Sequence, residues 1–263
     1  MTPFFFGTGK RRLFGAYSPG HVSGLSRRAV VLCPPWGHEY IRAHRSMRQL
    51  ADRLSAAGIH VLRFDYYGTG DSAGDLTEAS LGGWENDILT AVQELQDTAD
   101  VPQVGLIGLR LGGSLAARVA AGHPTDVRTL VLWDPVVSGI GYVQELMQNS
   151  RLLDFPQEKP TPRSEGSGGG HEILGFPLTS GMAAELQSID LGQLSPRLTV
   201  RTLVVVSSED TACGPILGID PVPGPGPVTL ERQDCQPCWV QDGSLGAGAI
   251  PVAQLQRIVQ WQA

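Results

Sequence analysis

The stretch "IGLRLGGS", residues 107–114, is the part of the sequence whose residue types and spacing most directly suggest chemistry. Apolar residues lead into it as at the end of a strand, and "LGGSLAA" continues with the spacing of a helix. Arg110 then stands at a helix N-terminus, where free backbone N–H groups favour an anion. A fixed guanidinium at that point predicts an anion site for a carboxylate, a phosphate or an enolate that develops from a thioester or ketone.

A reaction at such a site also needs a base, and the sequence offers three candidates. His38 and Glu39 lie in "PPWGHEY", and Asp210 lies in "VVVSSEDTACGP" beside Glu209. Arg110 itself cannot serve, because a guanidinium stays protonated and is not nucleophilic. In the simpler alternative, Arg110 forms an internal salt bridge with Asp210 or Glu39 and fills a pocket that has no function. His38 and Glu39 then only stabilise their loop through hydrogen bonds to its backbone.

The elements that would position these residues follow an α/β pattern. Short apolar runs alternate with amphipathic stretches, which is typical of a mainly parallel sheet with helices on both faces. At the N-terminus, "FFFG" and "RRLFGAY" predict an antiparallel hairpin on the edge of that sheet. Buried strands are predicted at 29–33, 60–64, 104–108, 129–133, 202–206 and 228–231.

The interval between about residues 136 and 200 breaks this alternation. It contains no clear strand pattern, and its Gly/Ser-rich stretch "RSEGSGGGHE" (163–172) would lose much entropy on ordering. Helical patterns at 141–153 and 180–191 surround that stretch. We therefore expect a helical cap inserted over the C-terminal edge of the sheet, with a mobile loop inside it.

Composition and charge narrow the choice of partners. The chain has 20 basic and 26 acidic residues, a net charge of −6 and no long basic run, so the sequence favours a small-molecule partner over nucleic acid. No apolar stretch approaches the roughly 20 residues of a membrane span, and the N-terminal charges follow the apolar patch, unlike those of a secretion signal. We expect a cytoplasmic protein with reduced cysteines, whose exposed edge strand could pair two copies into a homodimer.

Cys235 and Cys238 form a C-x-x-C pair late in the chain. A zinc site needs two more ligands, and no second pair with ligand spacing exists, so we expect neither a metal nor another cofactor. A reactive thiol at one of the two positions stays open as an alternative.

Five motifs occur in a fixed order along the chain. They are "VLCPPWGHE", "RFDYYGTGDSAGD", "WENDILTAV", "GLIGLRLGG" and "LVLWDP". Together they resemble the α/β-hydrolase fold, and within it the serine-aminopeptidase-like branch, over about residues 28–136 and 202–212. The resemblance implies an α/β-hydrolase core at 1–135 and 201–263, with the cap insertion at 136–200.

The resemblance also implies roles for individual residues. It places Arg110 where the family carries its nucleophilic serine, and it maps the oxyanion hole to the backbone N–H groups of Leu111 and Trp36. Asp210 matches the acid of the family, whereas no histidine follows the last strand, since His171 is the last in the chain. Two members of the triad depart from the pattern, so ordinary serine hydrolysis is not expected.

Two further polar residues have alternative interpretations. Ser114 in "GGSLA" could be a shifted nucleophile, although it fits more naturally one turn inside the helix. Asp134 in "WDP" is expected to cap the end of a strand, although some relatives place a catalytic acid there.

Three functions stay open at this point. The favoured one is an enzyme of small-molecule, specialised metabolism that performs acid–base or electrostatic chemistry on an acyl, carboxylate or enolate-forming substrate, free or carrier-bound, with Arg110 as anion stabiliser. The second is an ester or thioester hydrolase, or an acyltransferase, whose nucleophile is Ser114, a cysteine or an activated water. The third is a non-catalytic pseudo-hydrolase that binds or scaffolds. The fold alone does not choose between them.

Overall fold

One central sheet organises the computed structural model of the chain, which describes residues 1–20, 28–152, 170–207, 228–240 and 248–263. In chain order the strands are β1 (Thr2–Phe6), β2 (Leu13–Ser18), β3 (Ala29–Cys33), β4 (His60–Phe64), β5 (Val104–Leu109), β6 (Val127–Trp133), β7 (Gly170–Ile173), β8 (Phe176–Thr179), β9 (Arg201–Ser207) and β10 (Val228–Gln233). Eight of them form the sheet, in the order β1-β2-β4-β3-β5-β6-β9-β10. The pairs β1–β2 and β2–β4 are antiparallel. The other neighbouring strands of this sheet, including β3 and β4, pair parallel. The predicted α/β fold, with its N-terminal edge hairpin, is confirmed.

Helices cover both faces of the sheet because the central strands β3, β5 and β6 are apolar on both sides. The helices are α1 (His38–Ala56), α2 (Leu81–Ala99), α3 (Leu111–Gly122), α4 (Gly139–Leu152), α5 (Ser180–Gln187), α6 (Leu191–Leu194) and α7 (Val252–Gln262). Apolar side chains of α2 and α3 bury one face of the sheet, and those of α1 and α7 bury the other. Short 3₁₀ turns lie at Leu76–Glu78 and Ser195–Arg197. Within the described parts of the chain, no helix combines the length and the apolar character that crossing a membrane requires.

The segment after β6 differs from the expectation in one respect. Besides helices it contains an antiparallel hairpin of β7 and β8, which turns through Leu174 and Gly175, both at positive φ. The predicted loop at 163–172 therefore overlaps a strand, while residues 163–169 lie outside the described residues. Periodicity could not reveal this hairpin, because each strand has only four residues and its turn depends on a left-handed leucine.

The helical part of this segment agrees with the sequence more closely. Helix α4 covers most of the predicted 141–153 stretch, and the predicted 180–191 helix is instead two helices, α5 and α6. The break between them lies just before Asp190, whose carboxylate accepts a hydrogen bond from the backbone N–H of Gln193 and caps α6. The boundaries of the predicted cap at 136–200 stay a prediction.

Close backbone packing fixes the start of α3 against the loop after β3. A β-carbon added at Gly112 would lie 2.3 Å from the carbonyl oxygens of Cys33 and Pro34. Only glycine permits this approach, which brings the loop after β3 against the first turn of α3.

We predict that Gly112→Ala destabilises the protein by at least about 2 kcal/mol, since backbone atoms must move to admit the methyl group. Gly122→Ala is the matched control, because its β-carbon would meet nothing within 4 Å at the other end of the same helix. That control should be neutral or stabilising by up to about 1 kcal/mol. Denaturant unfolding of the two variants measures both effects, and equal stability of the two would contradict the packing argument.

Candidate functional site

A strained bend joins β5 to α3, and Arg110 is the residue at the bend. Its backbone has φ 52° and ψ −122°, a conformation that residues other than glycine rarely adopt. The bend is held by hydrogen bonds from the Arg110 N–H to the Trp133 carbonyl (3.0 Å) and from the Gly113 N–H to the Arg110 carbonyl (2.9 Å). The arginine side chain is turned inward and only 8% of the residue is exposed. The sequence prediction that Arg110 stands between a strand end and a helix N-terminus is confirmed.

Two carboxylates pair with the buried guanidinium. Arg110 Nε donates to Glu39 Oε1 at 2.9 Å, and Arg110 Nη2 donates to Glu145 Oε2 at 2.7 Å. The second oxygen of Glu39 accepts a hydrogen bond from the Tyr142 hydroxyl at 2.9 Å. Burial acts to lower the pKa of Arg110, but the charges of Glu39 and Glu145 outweigh it and raise the pKa above its usual range, so the guanidinium stays positively charged. The salt bridge between Arg110 and Glu39 that the sequence left open is therefore present.

Aromatic rings cover the guanidinium. The ring centroid of Trp239 lies 3.7 Å from Arg110 Cζ, and that of Tyr142 lies 5.3 Å from it. An aromatic face attracts a desolvated cation, which adds to the two ion pairs. We call Arg110, Glu39, Tyr142, Glu145 and Trp239 the Arg110 cluster.

Glu39 lies in the first turn of α1, where the helix N-terminus favours a carboxylate. It is 1% exposed, and this burial raises the pKa of its carboxyl while the Arg110 charge opposes that rise. The two hydrogen bonds on its oxygens are what a buried carboxylate requires. Glu39, which the sequence offered as a candidate base, faces inward from α1 and therefore contacts Arg110 at the bend.

Tyr142 and Glu145 come from α4, and the sequence analysis did not identify either of them. Their spacing of i and i+3 places both side chains on one face of a helix, so "GYVQE" contained a local signal for a shared contact. That signal does not say which cation they meet, because Glu145 and Arg110 are 35 residues apart in the chain. The contact of Trp239 with Arg110 could not be predicted either, because Trp239 lies in the loop after β10, far from Arg110 in the chain.

His38 stands beside the Arg110 cluster and is 7% exposed. Its Nδ1 has no hydrogen-bond partner among the described residues. Burial, together with the charges of Arg42 and Arg110, lowers the pKa of His38 to about 4, so its imidazole is neutral at pH 7. The role of His38 as a base stays a prediction.

Trp36 and Leu111, the predicted oxyanion-hole residues, flank the bend. Leu111 is the first residue of α3, and Trp36 lies in the loop between β3 and α1. The Trp36 ring is buried edge-to-face against Phe176 of β8, with 6.3 Å between ring centroids, and its Nε1 has no partner among the described residues. The donor role assigned to their backbone N–H groups stays a prediction.

The alternative nucleophiles are in unfavourable settings. Ser114 is fully buried one turn inside α3, and its hydroxyl donates to the Val136 carbonyl at 2.6 Å. Burial raises the pKa of the thiols of Cys33, Cys235 and Cys238, which disfavours the reactive thiolate. Among the described residues, no group of three or more His, Cys, Asp or Glu could hold a metal ion.

Asp134 links the ends of β6 and β9. Its carboxylate accepts hydrogen bonds from the Ser207 backbone N–H, the Ser207 hydroxyl (2.6 Å) and Trp239 Nε1 (3.2 Å). Burial raises the pKa of Asp134, and these donors act against that rise. The residue thus joins strand ends, as expected, and also orients the tryptophan that covers Arg110. Asp210 and Glu209 lie outside the described residues.

Two cavities among the described residues lie away from the Arg110 cluster. One lies at the opposite end of the sheet, beside Arg28 and Gln262, and another lies under α1, beside Tyr40 and Arg63. The space above the bend is instead occupied by side chains of α4 and by Trp239.

This strand–bend–helix core with a segment inserted after β6 is the architecture of an α/β-hydrolase. The model of the family described as serine aminopeptidase, S33, matches residues 26–163, more than half of the chain. The chain belongs to that family of α/β-hydrolase-fold proteins.

Curated relatives match a shorter region. The mitochondrial palmitoyl-protein thioesterase ABHD10 of Rattus norvegicus is 33% identical over 119 residues, which is 44% of this chain and 32% of that protein. The corresponding Mus musculus protein is 41% identical over 119 residues, with the same coverage. An uncharacterized Mycobacterium tuberculosis protein is 35% identical over 130 residues, 48% of this chain and 42% of its own length. The matched region thus spans about a third of the thioesterases' length.

Solved structures with the same fold cover nearly the whole chain. Est1E from Butyrivibrio proteoclasticus with bound ferulic acid has a TM-score of 0.68 at 15% identity, covering 98% of this chain and 96% of that one. ABHD10 from mouse has a TM-score of 0.61 at 17% identity, covering 99% and 96%. At these identities the likeness establishes the fold and no more.

We predict that Arg110→Met lowers the free energy of unfolding by about 3–5 kcal/mol, because it leaves the buried Glu39 carboxylate unpaired. Adding Glu39→Gln should recover part of that loss, since the uncompensated charge is then removed. Arg118→Met is the control, because Arg118 pairs with Glu85 at the half-exposed surface and should lose less than about 1 kcal/mol. Urea unfolding measures all four proteins, and wild-type stability of Arg110→Met would contradict the assignment.

We predict a pH-dependent stability that His38 causes. Because folding lowers the His38 pKa from 6.5 to about 4, the unfolded chain binds the proton more readily between these values. The contribution of neutral His38 to the free energy of unfolding is fully present above about pH 6.5. It decreases by about 2–3 kcal/mol as the pH falls towards 4. His38→Gln should flatten the stability profile in this window, whereas the same change at the exposed His123 should not. Unfolding curves across the range, compared between the two variants, measure the difference.

Proposed function

We propose that this chain is a non-catalytic member of the α/β-hydrolase family, which uses the fold to bind a partner rather than to hydrolyse an ester. The single observation that carries the proposal is the state of Arg110. Its guanidinium is buried, paired with two carboxylates and covered by an indole ring. The bend therefore offers neither a nucleophile nor a free cation.

The chemistry of the neighbouring groups supports the same conclusion. Serine hydrolysis needs a hydroxyl next to a base, and we propose that Arg110 stands where hydrolases of this family carry that hydroxyl. Ser114 already donates its proton to a backbone carbonyl. The sequence contains no histidine after His171, so the loop after the last strand cannot supply the base that the family uses.

The charge balance also disfavours an anionic intermediate at the bend. Glu39 and Glu145 place two carboxylates within hydrogen-bonding distance of one guanidinium. An oxyanion or enolate would have to compete with both of them for the same donors. Electrostatic catalysis relies on donors that are preorganised and unpaired before the charge develops.

An enzyme with Arg110 as anion stabiliser is the second candidate, and one observation favours it. Glu145 is 37% exposed, so an anionic acyl substrate could displace it from Arg110 without moving the buried Glu39. The neutral imidazole of His38, whose Nδ1 is unpartnered among the described residues, would then be available as the base. This reaction would be proton transfer next to a thioester or ketone carbonyl rather than hydrolysis.

We predict that a fluorophosphonate probe does not label the wild-type protein, because the bend carries no hydroxyl and the Ser114 hydroxyl is hydrogen-bonded to a backbone carbonyl. The protein should not hydrolyse p-nitrophenyl esters or acyl thioesters faster than buffer, and an active serine esterase of the same fold is the positive control. Labelling of the wild type that disappears in Ser114→Ala would instead establish a hydrolase. The second candidate is tested with a simple acyl thioester in deuterated buffer: exchange at its α-carbon that the wild type catalyses and Arg110→Met does not would establish that enzyme.

A further inference from the structure

Arg63 occupies a position on β4 where the strand pattern calls for an apolar residue. Its side chain lies on the same face of the sheet as that of Val61, which is buried against α1. In the register of the sheet its neighbours are Ala16 on β2 and Leu32 on β3. An arginine between such residues needs either a partner or a function.

No carboxylate of the described residues lies within ion-pair distance of the Arg63 guanidinium. Its Nε is buried without a hydrogen-bond partner, and its Nη2 donates to the Met1 thioether at 3.1 Å, which is a weak acceptor. The nearby Asp65 is occupied, because its two oxygens accept hydrogen bonds from the Tyr40 hydroxyl (2.6 Å) and the Asp71 N–H (3.0 Å). Burial lowers the pKa of Arg63, with the charge of Arg48 acting in the same direction and those of Asp52 and Asp65 opposing it.

Arg63 lines a cavity of about 120 Å³ between α1 and the sheet. Phe14, Leu32 and Met47 contribute apolar walls, and Tyr40 and His44 contribute polar edges. A cavity of about 150 Å³ with apolar walls holds a benzene ring, so this one matches a short chain or a single ring that extends towards solvent.

We propose that this cavity binds a small carboxylate with an apolar or aromatic body, whose carboxylate pairs with Arg63. The site is separate from the bend, where the buried Arg110 is already paired. An anion is favoured over a cation because the carboxylates in the wall are engaged or exposed: Asp65 accepts two hydrogen bonds, and Asp71 faces solvent. Asp52 and Asp65 compensate part of the Arg63 charge from a distance, but no carboxylate of the described residues forms an ion pair with this guanidinium.

Benzoate is the probe that tests this proposal, with benzylamine and benzyl alcohol as ligands of similar size and different charge. Titration followed by protein NMR should show that benzoate binds the wild-type protein and that benzylamine does not. Arg63→Met should weaken benzoate binding about tenfold or more, since a charge-assisted hydrogen bond is lost. Ala16→Leu, which fills the cavity but keeps the charge, should abolish it.

The control is Arg45→Met, because Arg45 is exposed on α1, the helix that covers the cavity, and does not line it. This variant should bind benzoate like the wild type. Arg63→Met should melt at the same or a higher temperature, since it removes an unpaired charge from an apolar setting, so a loss of binding would not reflect unfolding. The proposal is overturned if benzoate at millimolar concentration does not bind, if Arg63→Met or Ala16→Leu binds it like the wild type, or if benzylamine binds as tightly.

Discussion

The structure at the carboxyl ends of the central strands depends on the buried ion pair between Arg110 and Glu39. A guanidinium held in a strained bend and almost excluded from water is stable only if its charge is compensated by well-placed acceptors. Glu39 supplies the first of these from the start of α1, and Glu145 supplies the second from α4. Arg110 and its two carboxylates therefore fix the bend, α1 and α4 relative to one another.

The segment after β6 is fastened to the core by contacts of different kinds around this pair. Phe176 packs over Trp36 and lies above Gly37, and the Glu185 carboxylate accepts a hydrogen bond from the Leu81 N–H at the start of α2. The latter contact places a negative charge at a helix N-terminus, which is favourable for both partners. Together with Glu145, these contacts hold the segment against the bend.

Arg110, which is buried, and Arg63, which is half-buried, differ in how their charge is compensated. At Arg110 the chain supplies both counter-charges and an aromatic cover, so nothing else is required. At Arg63 the described residues supply a thioether and leave Nε without a partner, which is why we propose a carboxylate ligand there.

The sequence by itself determined the α/β core and the position of Arg110, because apolar runs, helical spacing and small residues at a turn are local signals. It also placed Glu39 near the bend, since loops at the ends of parallel strands meet at one edge. Only the tertiary structure decided that Tyr142, Glu145 and Trp239 surround the guanidinium, and that β7 and β8 form a hairpin. These contacts join surfaces far apart in the chain, and their geometry depends on how whole elements pack, which no local pattern encodes.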